Sequence, residues 1–412
     1  MNTPLFIFFL VLAGITAVYS GVLLTFVYGL SRLKHNQRAQ HTKWPSVSVI
    51  VPARNEAEVL ERTLESLLAQ EYKGDWEIMV VDDRSTDNTP FILADLQRRE
   101  TRIKVVTVIE KNPPSPKKNA LATGIAASSG EIIVTTDADC IYDPCWLHGL
   151  VSHMAQDVGV VAGLTIFDLP QDVDSVPSWQ KIQWLDFFVQ NFLAAGAMGL
   201  NHPASCNGSN LAFRRSVYSK ISGWGKYAKV VSGDDVLFAQ RVGLETKWKV
   251  VFAATQETIV RSLPVETFRE LMHQRLRWAS KGLSYRGSML SFLFGIYLYH
   301  LALIAAPIIG IVYPPAWLWI IGILAGKTLI DYFVVRQGCR TFRQERLLPY
   351  FFAFAFAQTF FIPFFGFAGL LLPYRWKGGW YRTARLPRTM SRNIWRIRRF
   401  VRSRRQPEST LP

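Results

Sequence analysis

Three acidic pairs carry the chemistry most open to argument in this sequence: Asp82-Asp83, Asp137-Ala138-Asp139 and Asp234-Asp235. Two carboxylates one residue apart at a strand end can aim at one ion. A carboxylate binds a diphosphate poorly unless a divalent cation lies between them. Mg2+ or Mn2+ takes such oxygens together with phosphate oxygens and water. The cation then stabilises a departing diphosphate as a Lewis acid and template. Asp137 and Asp139 are the metal ligands on this reading. Asp83 suits a hydrogen bond from a base or ribose, and Lys117 or Lys118 suits phosphate. In Ser232-Gly233-Asp234-Asp235 one aspartate fits a general base for an acceptor hydroxyl. The plainer alternative is that Asp234 caps the helix that starts at Val236. Further on, Gln274-Arg275-Leu276-Arg277-Trp278 offers Arg277 to a leaving diphosphate and Trp278 to a sugar face. An interfacial helix with a snorkelling arginine is the alternative there.

These residues need strands and helices to position them. Val47 to Val51 is a β-rich run ending at Pro52, and Asn55-Glu56 opens a helical pattern with Val59, Leu60, Thr63, Leu64, Leu67 and Leu68 on one face. Trp76 to Val81, Ile103 to Val108 and Glu131 to Thr136 are the next three strands. Helices about 89–99 and around Ala120, Leu121, Gly124 and Ile125 separate them. The alternation implies an α/β fold with a parallel sheet. Ligands then sit at the carboxyl ends of the strands. Arg54, Glu56, Asp82, Asp83, Asp137 and Asp139 all fall there. A lone acidic pair would read as solvated loop residues, whereas acids after successive strands read as a site.

The surrounding chain has a membrane character. Residues 5–30 carry no charge, and further apolar runs cover about 288–313, 316–335 and 349–373. The first run is long enough to cross a hydrocarbon core. It lacks the basic start and short apolar run of a cleaved leader. The expected organisation is an anchor over 1–31, a catalytic domain over 44–264, an interfacial helix over 265–287, a membrane cluster over 288–373 and a basic tail over 374–412. Arg32, Lys34, Arg38 and Lys43 place the α/β block on the cytoplasmic side of a plasma or inner membrane. The run 349–373 is too short to cross twice, and Pro363 allows a broken or re-entrant segment that keeps the tail cytoplasmic. The formal net charge is +16, and Arg375 to Arg405 holds twelve basic residues and no acid. Such a tail fits anionic lipid headgroups better than nucleic acid. Within it Met390, Ile394, Ile397 and Val401 recur at helical spacing, as in an in-plane helix. Cys140, Cys145, Cys206 and Cys339 form no CxxC pair and are expected to be reduced. Lys327 and Asp331, four apart within the third run, can pair on one helix face. Together with His300 they read either as a structural pair or as the lining of a path for acceptor or product.

Taken in order, these residues resemble the inverting glycosyltransferases of family 2, in particular the membrane synthases with a QxxRW motif. Val51-Pro52-Ala53-Arg54-Asn55-Glu56 is similar to the first motif, and Asp82-Asp83-Arg84-Ser85-Thr86-Asp87 to the DDxSxD that holds the nucleoside. Lys117 with Ala120-Leu121 is similar to KxxAL, and Asp137-Ala138-Asp139 takes the DxD position. Asn207-Gly208-Ser209-Asn210 resembles the loop that shapes the acceptor site. Gly233-Asp234-Asp235 stands where the family has TED or GED, which points to Asp235 as base. Gln274, Arg277 and Trp278 complete QxxRW. Ala122 stands where many members have Asn, and Asp234 replaces the usual Glu. The resemblance implies a GT-A fold and a nucleotide-sugar donor, a UDP-sugar above all, bound with Mg2+ or Mn2+. Donor contacts would then come from Pro52, Arg54, Glu56, Asp82, Asp83, Lys117, Lys118 and Asp137. The acceptor would be a growing glycan or, by single addition, a membrane lipid. A non-catalytic scaffold with a relic fold is the alternative of another class.

Overall fold

The computed structural model describes residues 3–33, 38–39, 41–110, 113–170, 172–173, 175–285 and 288–382. The proposed in-plane helix of the basic tail lies outside them. The chain opens with α1 (Thr3–Leu33). It then alternates β1 (Val47–Ala53), α2 (Leu60–Leu68), β2 (Trp76–Asp82), α3 (Thr89–Arg99), β3 (Ile103–Thr107), α4 (Pro116–Ala127) and β4 (Ile132–Thr135). These are the strands and helices expected from the β-branched runs and the apolar periodicity. There follow β5 (Cys140–Ile141), α5 (Trp146–Ser152), β6 (Val158–Gly163), β7 (Thr165–Phe167), α6 (Ser178–Gly199), β8 (Leu211–Arg214), α7 (Arg215–Lys220), α8 (Val236–Glu245), β9 (Lys249–Ala253) and β10 (Val260–Ser262).

The main sheet has the order β3-β2-β1-β4-β8-β6-β9. Its first four strands are parallel, as the alternation predicts. Beyond the four strands read from the sequence, β8 runs antiparallel to both β4 and β6. The reason is that β8 is reached through a long excursion containing α6 rather than by a crossover helix, so nothing forces it parallel. A smaller sheet, β5-β10-β7, lies beside the carboxyl end of β4. Successive residues of a strand face opposite sides. Val49, Val51, Ile78 and Val80 therefore pack with Leu60 and Leu64 on one face, and Ile50, Met79, Val81 and Ile133 with Ile125 on the other.

The second face runs on without a boundary into the long apolar helices. Its apolar cluster continues through Phe188 and Phe192 of α6 to Leu30 and Leu33 of α1. It also takes in Phe342 and Phe351, which belong to α11 (Trp317–Phe342) and α12 (Phe351–Leu371). Glycines allow the closest approach. A Cβ on Gly29 would lie 2.0 Å from the carbonyl oxygen of Gly196, and one on Gly199 would lie 2.1 Å from that of Gly29. Helix α9 (Phe268–Ala279) begins with a capping box, Thr267 and Glu270 each accepting from the other's backbone N–H at 3.2 Å.

Among the described residues, four helical segments are long and apolar enough to cross a membrane: Thr3–Leu33, Met289–Val312 within α10 (Ser288–Val312), Pro314–Phe342 and Glu345–Leu371. The last does not lead away from the α/β block. At its start Lys181 of α6 lies 5.7 Å from the ring centroid of Tyr350. At its end a Cβ on Gly369 would lie 2.4 Å from that of Ala279 in α9. A hairpin of β11 (Tyr374–Trp376) and β12 (Gly379–Tyr381) then returns to the α/β block. Lys377 (φ 44°) and Gly378 (φ 79°) form its turn. Both central residues have positive φ, the geometry of the tight turn whose twist matches flanking strands.

Candidate active site

The loops after β1 and β2 are stitched together. Asn55, in the left-handed region at φ 55°, accepts from the Thr86 N–H at 2.8 Å, and its own N–H donates to the Ser85 hydroxyl at 3.0 Å. The Glu56 N–H donates to Thr89 Oγ1 at 2.9 Å, and Asp82 accepts from the Ser85 N–H at 3.0 Å. This fixes Arg54 Nη1 3.8 Å from Asp83, whose other oxygen lies 2.7 Å from Arg84. Burial pushes the Asp83 carboxyl up, against the pull of the two arginines. Pro52 sits within β1 opposite Val81 and keeps the chain extended as it enters this loop.

Across β1, Asp137 and Asp139 leave the end of β4. Asp137 accepts from Lys117 Nζ at 2.5 Å, and Lys117 also lies 3.6 Å from Asp234. Burial alone would pull the Lys117 ammonium down; Asp137 and Asp234 hold it above its usual range. Asp139 accepts from the Ser262 hydroxyl at 3.1 Å, and burial, then the charge of Asp137, pushes its carboxyl up. Glu56 is pushed up by burial and by the same two aspartates, against the opposing pull of Lys377. Among the described residues, no group of three or more His, Cys, Asp or Glu side chains could hold a metal ion. Two hard carboxylates nevertheless fit a Mg2+ or Mn2+ ion that takes its other ligands from phosphate and water.

Asp234 and Asp235 divide their work differently from the plainer sequence reading. Asp235, not Asp234, caps α8: its Oδ1 accepts from the Val236 N–H at 2.6 Å and its Oδ2 from the Gly208 N–H at 3.0 Å. Asp234 turns to the cations. Burial would raise its carboxyl, but Lys117, Lys118 and Arg277 hold it down. Arg277 sits with its guanidinium 5.2 Å from the ring centroid of Trp376, and its Nε has no hydrogen-bond partner. Gln274 Oε1 is likewise unpartnered. Trp278 stacks on Phe187, with ring centroids 5.8 Å apart.

Three expected site residues turn away. Lys118 is not free for phosphate: its Nζ donates to the carbonyls of Tyr227, Val230 and Ser232 at 3.0, 2.5 and 3.2 Å, and burial lowers its pKa to about 8. It pins the loop before Asp234. Asn210 is fully buried, its amide donating to Leu164 and Thr258 carbonyls and accepting from the Trp146 indole. Ser209 is buried against Thr165 and Thr136. Of the expected acceptor loop, Gly208 faces the acids directly, with room for no side chain: a Cβ there would lie 2.9 Å from Asp234. Asn207 caps the turn by accepting from the Ser209 N–H at 3.2 Å.

The sequence reading missed Lys377. Its ammonium bonds the Glu56 carboxylate and donates to the Arg54 carbonyl at 3.3 Å, from the far end of the chain. The Lys377-Gly378 dipeptide between aromatic residues is a hairpin signal that the basic composition of the tail concealed.

Residues 48–222 match the family model described as "Glycosyl transferase family 2". A "Beta-monoglucosyldiacylglycerol synthase" of Nostoc sp. is 29% identical over 263 residues, 61% of this chain and 52% of that protein. A "Probable glycosyltransferase YdaM" of Bacillus subtilis is 28% identical over 260 residues, 62% of this chain and 59% of that protein. The chain thus spans little more than half the length of these curated relatives. Among solved structures, "Mannosyltransferase PcManGT from Pyrobaculum calidifontis in complex with GDP-Man and Mn2+" superposes with a TM-score of 0.55 at 19% identity, over 88% of this chain and 99% of that one. That likeness concerns the fold. Sheet, loops and matched span agree: residues 48–222 are similar to the glycosyl transferase family 2 model, and the α/β fold is GT-A-like.

Proposed function

We propose that the protein transfers a sugar, with inversion, from a nucleotide-sugar donor to a hydroxyl of a membrane-borne lipid at the cytoplasmic membrane face. The observation that carries this reading is the convergence of Asp137, Asp234, Lys117 and Arg277 on one point, from β4, α4, α9 and the loop before α8. Arg54 and Asp83 hold the nucleoside end. Asp137 and Asp139 would hold a Mg2+ or Mn2+ ion, which supplies Lewis-acid stabilisation of the diphosphate. Asp235 accepts the acceptor proton through the lone pairs that the helix cap and Gly208 leave open. The oxygen so freed attacks the anomeric carbon, and the nucleoside diphosphate departs towards Lys117 and Arg277, whose charges offset its own.

A lipid acceptor is favoured because α9 is packed between these acids and helices long enough to span a membrane. The named function of the Nostoc relative points the same way. Growth of a glycan chain is the second reading, favoured by the QxxRW match of Gln274, Arg277 and Trp278.

Membranes containing the protein, given a panel of labelled nucleotide sugars, test both. Label extracted into organic solvent as a single-sugar lipid is expected. Label in long, solvent-insoluble chains would favour the second reading. Absence of cation-dependent nucleotide release from every donor would sink the transferase reading.

A further inference from the structure

Helix α9 has two working faces. Gln274 and Arg277 lie towards the acids. Arg275 and Trp278, one helical turn apart, lie towards α6. There Arg275 Nη2 meets Asp186 at 2.6 Å, and the guanidinium carbon lies 4.5 Å from the Trp278 ring centroid. Asp186 also accepts from Gln190 at 2.9 Å. Two turns back along α6, the Trp179 ring packs edge-on to Phe268 at the start of α9. Gln183 stands between these two rungs, four residues after Trp179 and three before Asp186, and so on the face turned to α9.

Gln183 is 1% exposed, yet neither its amide nitrogen nor its amide oxygen has a hydrogen-bond partner. Arg275 is 6% exposed, and its Nη1 has none either. A buried amide left bare loses the hydrogen bonds that water gave it, so bare donors and acceptors on the facing sides of two packed helices mark a ligand or water position. The charge of Arg275 is already matched by Asp186, which makes the spot neutral overall. A phosphate there would bring an uncompensated buried charge. A hydroxyl, which donates and accepts as an amide does, would not.

We propose that Gln183 and Arg275 form a subsite between α6 and α9 for an uncharged, non-reacting oxygen of the acceptor's head. It is bounded by the Trp278–Phe187 stack and lies one helix-width from the reacting acids. The inference deepens the lipid-acceptor reading and rests on it. The shared chemistry is that of a hydrogen-bonding oxygen beside the reacting hydroxyl, an ester carbonyl of a diacylglycerol or a second hydroxyl of a lipid-linked sugar.

The test uses the full chain in phosphatidylcholine nanodiscs carrying 1,2-dioleoylglycerol, its monoglucosyl derivative or phosphatidic acid. Bound lipid is counted by native mass spectrometry, and transfer is followed with the donor found above. For Q183L we expect a roughly tenfold weaker hold on one neutral lipid and a similar rise in its KM, the equivalent of one lost hydrogen bond. The lipid affected tells glycerol from sugar. Acceptor-independent nucleotide release should not change. Wild-type binding and KM for both neutral lipids in Q183L, with a raised melting temperature, would mean that the amide holds only a buried water and would overturn the subsite. Preference of the wild type for phosphatidic acid would overturn its neutral character. Should Q183L not fold, R275K decides in the same assay, because it keeps a cation against Asp186 and removes Nη1. An unchanged KM there overturns the proposal. Loss of lipid binding in Q183L from a protein that turns over no donor would leave the subsite standing and remove the transferase reading.

Discussion

At the scale of single residues, two adjacent aspartates face different partners, and that difference is testable. Asp235 accepts from two backbone N–H groups, whereas Asp234 faces Lys117. Asp235→Asn keeps the shape of the cap but removes the base. Transfer should fall by about 10²–10⁴-fold, while donor binding, followed by calorimetry, persists. If Asp234→Asn abolishes transfer and Asp235→Asn does not, the base is misassigned. Asp139→Ala should weaken Mn2+ binding in a titration and remove transfer without changing the melting curve by more than a few degrees. Near-normal turnover that EDTA still abolishes would place the cation elsewhere. Asp82, Asp83, Asp137 and Asp139 stood out in the sequence because they lie at strand ends, and strand ends converge in an α/β sheet, whereas Asp234 and Asp235 stood out only as a pair before a helix start. The inward turn of Lys118, Ser209 and Asn210 was not legible. Lys117 and Lys118 differ by about 100° around α4, and only the packed fold decides which of them meets Asp137 and which meets the carbonyls before Asp234.

At the scale of elements, α12 and the hairpin after it decide on which side the chain ends. The run 349–373 and Pro363 allowed a re-entrant segment but could not distinguish it from a single crossing. Composition is the same in both, and what differs is where the two ends dock. Here Tyr350 meets α6 and Gly369 meets α9, both parts of the α/β side. The hairpin then brings Trp380 near His273, with ring centroids 5.7 Å apart. Cys145 is exposed on the α/β block, and Cys140, Cys206 and Cys339 are buried, so a thiol reporter is already present. In oriented vesicles a membrane-impermeant maleimide should label Trp380→Cys, on a Cys145→Ser background, from the same side that labels native Cys145. Labelling from the opposite side would mean that α12 crosses, with the basic residues beyond it outside.

At the scale of the whole molecule, three of the helices long enough to span a membrane, α1, α10 and α11, are tied to one another by a polar cluster. Lys327 and Asp331 of α11 are 3% and 7% exposed and pair at 2.5 Å. The Tyr19 hydroxyl of α1 donates to Asp331 at 2.9 Å, and the Lys327 ammonium lies 5.7 Å from the Tyr19 ring centroid. Tyr299 of α10 donates to Thr16 of α1 at 3.1 Å, next to His300. Sequence spacing foresaw the i,i+4 pair, but it had no means of supplying Tyr19, 312 residues away from Asp331. With that partner in place the polar face is turned inward and closed, which favours a structural pair over a path for acceptor or product. The two readings separate under substitution. Exchanging both residues for apolar ones of similar size, Lys327→Met with Asp331→Leu, should leave transfer and product size unchanged, because apolar replacement of a buried pair is often neutral. Asp331→Leu alone strands an ammonium inside the bundle. It should cost about 3–5 kcal/mol, seen as a lowered melting temperature in detergent and reduced yield in membranes. A double variant as stable as the wild type that nevertheless makes a shorter product or uses the acceptor less would restore the path reading, since no loss of packing would then explain the change.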